Sequence, residues 1–331
     1  MSEAVMSEQA KATAPSDIRV KVLKRFNLSD SAFHYLTKSC ALTVLLLLGG
    51  VIVSLVQGSL PALGAYGFGF LTSQSWNPVT EKFGAAPAIY GTLVTSFLAL
   101  LLAAPLGFGI AVFLTELCPY ALRRPIGVAI ELLAGIPSII YGIWGMFVLA
   151  PFLQAHVQPQ LIATFAGVPF LRDVFSGPPY GIGIATASVI LAIMILPLIS
   201  SISRDVFNTV PPVLKEAAYG VGCTRWEVMR RIVAPYTGVG LIGGVMLALG
   251  RALGETMAVT FVIGNAHKIS PSILGPGTTI SASIANEFTE ADGVLYTSSL
   301  VALGLLLFVI TFVVLAFSRL LLMRVQDQGA R

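Results

Sequence analysis

The apolar residues of this chain gather in six long runs, at about 37–58, 88–114, 126–152, 181–202, 236–264 and 295–320, with polar stretches between them. Each run is long enough for the ~20 residues with which a helix crosses a bilayer. The third and fifth are punctuated by Gly and Pro, which a bundle interior tolerates because neighbouring helices re-satisfy the freed backbone groups. The pattern predicts an all-α integral membrane protein. It divides the chain into a tail over 1–36, a six-span domain over 37–320 and a short C-terminus over 321–331. The tail is polar or mixed and lacks a small-residue cleavage site, so no removable signal peptide is expected. Met-Ser-Glu recurs at Met1 and Met6, which leaves the start open.

Composition agrees with the pattern. Hydrophobic residues make up 56% of the 331, charged residues only 11%, and mean hydropathy is +0.85. Soluble domains carry about 25% charged residues, so much of this surface must face lipid. The three cysteines, Cys40, Cys118 and Cys223, have no metal-type spacing, and a disulfide framework is not expected. A net charge of +4 brings nucleic acid to mind. In a membrane protein it more often reflects basic cytoplasmic loops, and no nucleic-acid partner is expected.

The distribution of Lys and Arg sets the orientation. Lys11, Arg19, Lys21, Lys24, Arg25 and Lys38 lie at the N-terminus, and Arg123 and Arg124 follow span two. Arg204, Lys215, Arg225, Arg230 and Arg231 follow span four, and Arg319, Arg324 and Arg331 close the chain. The opposite side has only Lys82, Arg172 and Lys268. The positive-inside rule then predicts that both termini and the loop after span four are cytoplasmic.

The exterior segments 59–87, 153–180 and 265–294 are rich in turn residues, with Trp76 as a candidate interfacial ring. Either they only connect spans, or together they form a platform for an extracytoplasmic partner. Residues Ser281 to Glu290 have the pattern of a short amphipathic helix lying at the interface.

The cytoplasmic loop 203–235 has internal design. Pro211-Pro212 opens a short helix that carries Glu216, Ala217 and Ala218, after which Gly220 and Gly222 permit a sharp turn with positive φ. Thr224 and Glu227 have capping-box spacing, so a second helix is expected from there to about Ala234, with Pro235 leading into span five. Small side chains at Ala217, Ala218 and Gly222 allow close backbone approach, and Arg225, Arg230 and Arg231 offer charge at the rim. Such a helix–turn–helix suits docking in a groove of a cytoplasmic protein; the plainer reading is a solvated basic connector.

The string Glu216-Ala217-Ala218, Gly222 and Ile232-Val233-Ala234-Pro235 resembles the EAA loop of ABC-importer permeases, departing at Ala234 where that family usually has Leu. Leu133-Ala134-Gly135-Ile136-Pro137-Ser138-Ile139-Ile140-Tyr141-Gly142 and Leu249-Gly250-Arg251-Ala252-Leu253-Gly254-Glu255-Thr256-Met257-Ala258-Val259 are similar to signatures of the phosphate permeases. The resemblance covers nearly everything beyond residue 35. It implies the six-helix ABC type I importer permease fold with both termini cytoplasmic, and a loop 203–235 whose coupling residues Glu216, Ala217, Ala218, Gly222 and Arg225 meet a separate ATPase. It also implies a second permease subunit, two ATPase copies and a periplasmic phosphate-binding protein.

Only three acidic or basic residues lie well inside the apolar runs: Glu131, Arg251 and Glu255. A charge at mid-bilayer costs ~2.5–3.5 kcal/mol on insertion scales, so each needs a partner or a watery cavity. Arg251 and Glu255 are one helical turn apart and are expected to pair on one face. The pair either fixes helix packing or lies in the substrate pathway, where guanidinium suits a phosphate ion and a nearby carboxylate keeps binding reversible. Glu131 either bonds a neighbouring helix or joins the pathway. Gly135, Pro137, Gly142 and Gly145 serve helix packing or expose backbone groups to the pathway.

No catalytic constellation is found, and without a Gly-Lys pair there is no P-loop, so ATP must be hydrolysed by a partner. His34, His156 and His267 share no ligand spacing, and neither a metal site nor a cofactor is expected. The expectation is a non-catalytic permease for phosphate working by alternating access. Its rivals are a permease for sulfate or molybdate and a membrane scaffold signalling phosphate status.

Overall fold

A computed structural model describes the backbone of residues 17–329 and the side chains of residues 30–320 and Met323. In chain order its main helices are α1 (Asp17–Tyr66), α2 (Ala86–Leu117), α3 (Tyr120–Ala134), α4 (Ser138–Phe165) and α5 (Ile184–Asn208). They continue with α6 (Pro212–Gly220), α7 (Arg225–Leu253), α8 (Met257–Val262), α9 (Ile280–Glu287) and α10 (Val294–Gly329). Six are long and apolar enough to cross a membrane: residues 30–66 of α1, then α2, α4, α5, α7 and residues 294–320 of α10. Among the described residues the only β pairing is an isolated bridge between Asn77 and Lys82. The described residues divide into two units between Gln57 and Gly58, and the core belongs to the second.

The core is built around α5, 67% of whose apolar window is buried, against 28% or less for the other five spans. Its Ala187, Ile190, Leu191, Ile195 and Ile199 meet Ala99 and Ala103 of α2, Ala248 and Ala252 of α7, and Val259 and Val262 of α8. Alanines dominate the surrounding helices because lipid supplies no hydrophobic drive between spans, so association rests on close backbone packing.

Two expected spans are broken. The run at 126–152 is not one helix: α3 ends at Ala134, Gly135 caps it, and α4 starts at Ser138 and extends to Phe165. Pro137 is the cause, since its ring disfavours helical backbone at Ile136. The run at 236–264 splits likewise, with α7 ending at Leu253 and α8 starting at Met257.

The second loop helix does not stop at Ala234. It begins at Arg225 and continues through Pro235 into the membrane span as a single helix, α7. The chain passes Pro235 by way of a wide π-type turn at Met229–Val233. The other π-type turns, Phe113–Leu117, Gly145–Leu149 and Leu153–Val157, likewise end two residues before Pro119, Pro151 and Pro159. A proline ring collides with the carbonyl four residues back, and a widened turn moves that carbonyl away. Pro105 and Pro197 sit in unwidened helix, so the device is a local choice of packing and not an obligation.

The segment expected at the membrane interface is also placed differently. In α9 the residues Ile280, Ser281, Ala282 and Ser283 are buried. Its N-terminus is tied into the bundle, where the hydroxyl of Thr92 accepts from the N–H of Ile280.

Candidate functional site

The two helix breaks lie against each other. Residues 138–144 of α4 pack on α8 so closely that a Cβ on Gly142 would stand 2.8 Å from Phe261 and 3.1 Å from the Cα of Ala258. Broken helices must satisfy their loose ends. The Tyr141 hydroxyl donates to the carbonyl of Leu133 across the first break, at 2.8 Å. Across the second, Glu255 Oε1 accepts from the N–H of Ala258 at 3.5 Å.

That second bond explains why the expected Arg251–Glu255 pair is absent. Pairing at one-turn spacing needs continuous helix through Glu255, but α7 stops at Leu253 and Gly254 caps it. Glu255 turns instead to the first turn of α8, where a carboxylate is favoured. Arg251 is exposed, with no ion pair to a described residue, in the last turn of α7, where a cation complements the helix dipole.

Glu131 belongs to α3 and is drawn elsewhere. Its Oε1 lies 2.6 Å from Nη2 of Arg204 on α5, the neighbouring-helix bond that was one of its two sequence readings. Arg204 in turn lies 3.4 Å from Asp205. From sequence Arg204 marks only sidedness, since residues 73 apart give no local sign of pairing.

The Glu216 loop forms a compact platform. Its first helix is α6, opened by Pro211 and Pro212. Gly222 supplies the turn at φ +90°, whereas Gly220 remains inside α6. Thr224 and Glu227 form the expected capping box at the start of α7. Ala218, Val228, Met229 and Val233 are buried against Ala111, Phe207 and Val210. Glu216, Ala217, Gly222 and Arg225 remain exposed, beside the exposed apolar side chains of Val213, Val221 and Trp226. Lys215 ties the platform to the end of α2 through a mostly buried ion pair with Glu116, Nζ to Oε1 at 2.6 Å. This contact also had no sequence signal.

A third constellation joins the opposite loops. Glu287 of α9 accepts from Nε1 of Trp76 at 2.6 Å and from the hydroxyl of Tyr296 at 2.7 Å, and His267 Nε2 lies 2.8 Å from its other oxygen. Trp76 stacks on His267 and meets Phe83 edge-on, so it is a packed residue and not a free interfacial ring. Burial acts to raise the pKa of Glu287, but the bonds from His267, Tyr296 and Trp76 outweigh it and hold the carboxyl below its ordinary value. Among the described residues no His, Cys, Asp and Glu cluster is arranged for a metal. The three cysteines are free.

Residues 103–329 match the family model described as "Binding-protein-dependent transport system inner membrane component". The chain is 69% identical over 93% of its length, and 94% of the relative's, to the phosphate transport system permease protein PstC of Mesorhizobium japonicum. It is 56% identical to the protein of the same name from Pasteurella multocida, over 92% of this chain and 95% of that one. A crystal structure of a bacterial ABC transporter involved in the import of the acidic polysaccharide alginate shares the fold, with a TM-score of 0.61 over 91% of this chain and 98% of that chain at 17% identity.

Proposed function

Since the chain belongs to the binding-protein-dependent transport permeases, and within them to the PstC family, we propose that this multi-pass membrane protein imports inorganic phosphate. It is a transport permease, a non-catalytic membrane subunit with the ABC type I importer fold. The observation that carries phosphate as the substrate is the 69% identity to a phosphate transport permease over nearly the whole chain.

In this reading the termini and the Glu216 platform face the cytoplasm of a bacterium, and the protein lies in the cytoplasmic (inner) membrane. A PstA-like permease completes the pathway, because one set of six spans is too few to enclose a two-sided route. Two copies of a PstB-like ATPase supply the energy, and a PstS-like periplasmic protein delivers the anion. Glu216, Ala217, Ala218, Gly222 and Arg225 form the joint to one ATPase. The geometry supports this: a rigid helix pair held by Lys215–Glu116 presents exposed Glu216 with apolar Val213, Val221 and Trp226, a charged edge around a dry patch that suits a groove.

Arg251 and Glu255 stand in the substrate pathway, at the break between α7 and α8. Interrupted helices that meet inside a bundle put unpaired backbone groups and charged side chains where an ion passes. Arg251 without a carboxylate partner has its donors free for phosphate. Glu131, paired with Arg204, holds α3 beside the pathway. Alternating access then moves the packed α4–α8 contact as a unit when ATP binding closes the platforms.

The test is uptake of radiolabelled phosphate by cells that lack their own high-affinity importer and express this chain with its partner subunits. Uptake competed by arsenate and spared by sulfate and molybdate is expected. Competition by sulfate or molybdate would give the site to another oxyanion, and normal uptake without this chain would leave the signalling role.

A further inference from the structure

At the end of the molecule that carries the Glu216 platform lies a cleft of about 610 Å³, of whose lining only Arg204 has a role above. Tyr120, Arg123 and Arg124 line it from the first turn of α3, and Arg204, Asp205 and Asn208 from the last turns of α5. Three guanidiniums against Asp205 and the adjoining Glu131 leave it basic. Arg204 is engaged by both carboxylates, at 2.6 Å and 3.4 Å. The other two are not. Arg123 donates Nη2 to the carbonyl of Thr115 at 2.8 Å, but its Nε is buried with no partner among the described residues. Arg124 is exposed and likewise has no described partner.

A buried guanidinium N–H requires an acceptor, and two neighbouring guanidiniums with free donors match the oxygens of a phosphate group better than any neutral ligand. Asn208 adds an exposed amide across the cleft. The start of α3 contributes the positive end of a fifteen-residue helix. Along the same helix Leu122, Val128 and Leu132 are exposed, an apolar strip of the kind that meets acyl chains beside a headgroup.

We propose that this cleft binds a phosphate group, with Arg123 and Arg124 as its cationic clamp and Asn208 facing them. Its source is an anionic phospholipid headgroup or free inorganic phosphate. Its occupancy is read as binding and not as transport, so the test stands whether or not the transport reading does.

The protein in its native assembly is placed in nanodiscs of phosphatidylcholine with or without phosphatidylglycerol, and co-purifying lipid is quantified by mass spectrometry. In a second arm, phosphatidylcholine nanodiscs are titrated with radiolabelled inorganic phosphate at fixed ionic strength. Arg124→Gln and Asn208→Asp are the variants, since neither side chain makes a hydrogen bond to a described residue and both are exposed. If the source is lipid, each variant lowers the preference for phosphatidylglycerol about five- to tenfold, the loss of roughly one charge-assisted bond. If it is free phosphate, the lipid preference is flat and the same variants weaken phosphate binding by that factor. Wild type and both variants alike in both arms would overturn the proposal.

Discussion

Arg251 shows how much one residue's meaning depends on where a helix ends. Four positions from Glu255 it is a natural partner in an ion pair, yet the stop at Leu253 turns Glu255 to the N–H of Ala258 and leaves the guanidinium exposed. An exposed cation in a span is the costly arrangement that function retains. Replacing Arg251 with Gln is therefore expected to lower phosphate uptake at least about tenfold, one lost charge-assisted contact, with immunoblots showing normal subunit levels. Unchanged uptake would remove Arg251 from the pathway. Glu287 carries a different expectation. Its carboxyl is held below its ordinary value, so its bonds stabilise the fold at neutral pH and above, and that contribution fades as pH falls below the ordinary value of 4.5. Glu287→Gln should lower the melting temperature by a few degrees at pH 7 in detergent. The gap to wild type should narrow as the pH drops below 4.5. A constant gap across that range would separate Glu287's role from its charge.

Among the elements, the breaks and widened turns share one origin. Proline in an apolar run leaves three outcomes: a stop, as at Pro137; a π-type turn just before it, as at Pro235; or a tolerated place in regular helix, as at Pro197. Which one occurs depends on neighbours. At Pro137 the broken ends are taken up by Tyr141 and by the tight α4–α8 contact, so the stop is stable. That contact has no room for a side chain at Gly142. Gly142→Val is expected to separate α4 from α8 and cost about 1–3 kcal/mol from overpacking. Thermal unfolding of the purified assembly measures it, and Gly142→Ala should fall between the two.

At the largest scale, the unit beyond Gln57 carries two faces with different chemistry. One carries the Glu216 platform and its Arg-rich cleft, and the other the Trp76–His267–Glu287 junction. The assignment of these faces to cytoplasm and periplasm is open to a direct test. In a background with Cys40, Cys118 and Cys223 replaced by Ser, a membrane-impermeant maleimide added to intact spheroplasts should label Val79→Cys. It should reach Val221→Cys only after permeabilisation; both side chains are highly exposed, so access to reagent reports sidedness. The reverse pattern would invert the protein.

Apolar runs of bilayer length follow from the requirement that a backbone in lipid bond to itself, so the number of spans was legible from sequence alone. So were the Thr224 capping box, the Gly222 turn and the family resemblance carried by Glu216 to Pro235, because each depends on residues a few positions apart. The split of the third run, the continuity of α7 through Pro235 and the burial of α9 were not legible. Nor were the bonds Glu131–Arg204, Lys215–Glu116 and His267–Glu287, whose partners are brought together only by packing. A helix pattern is local, but the end of a helix and the partner of a buried charge are settled by whichever distant group arrives to satisfy them, and that is decided in three dimensions.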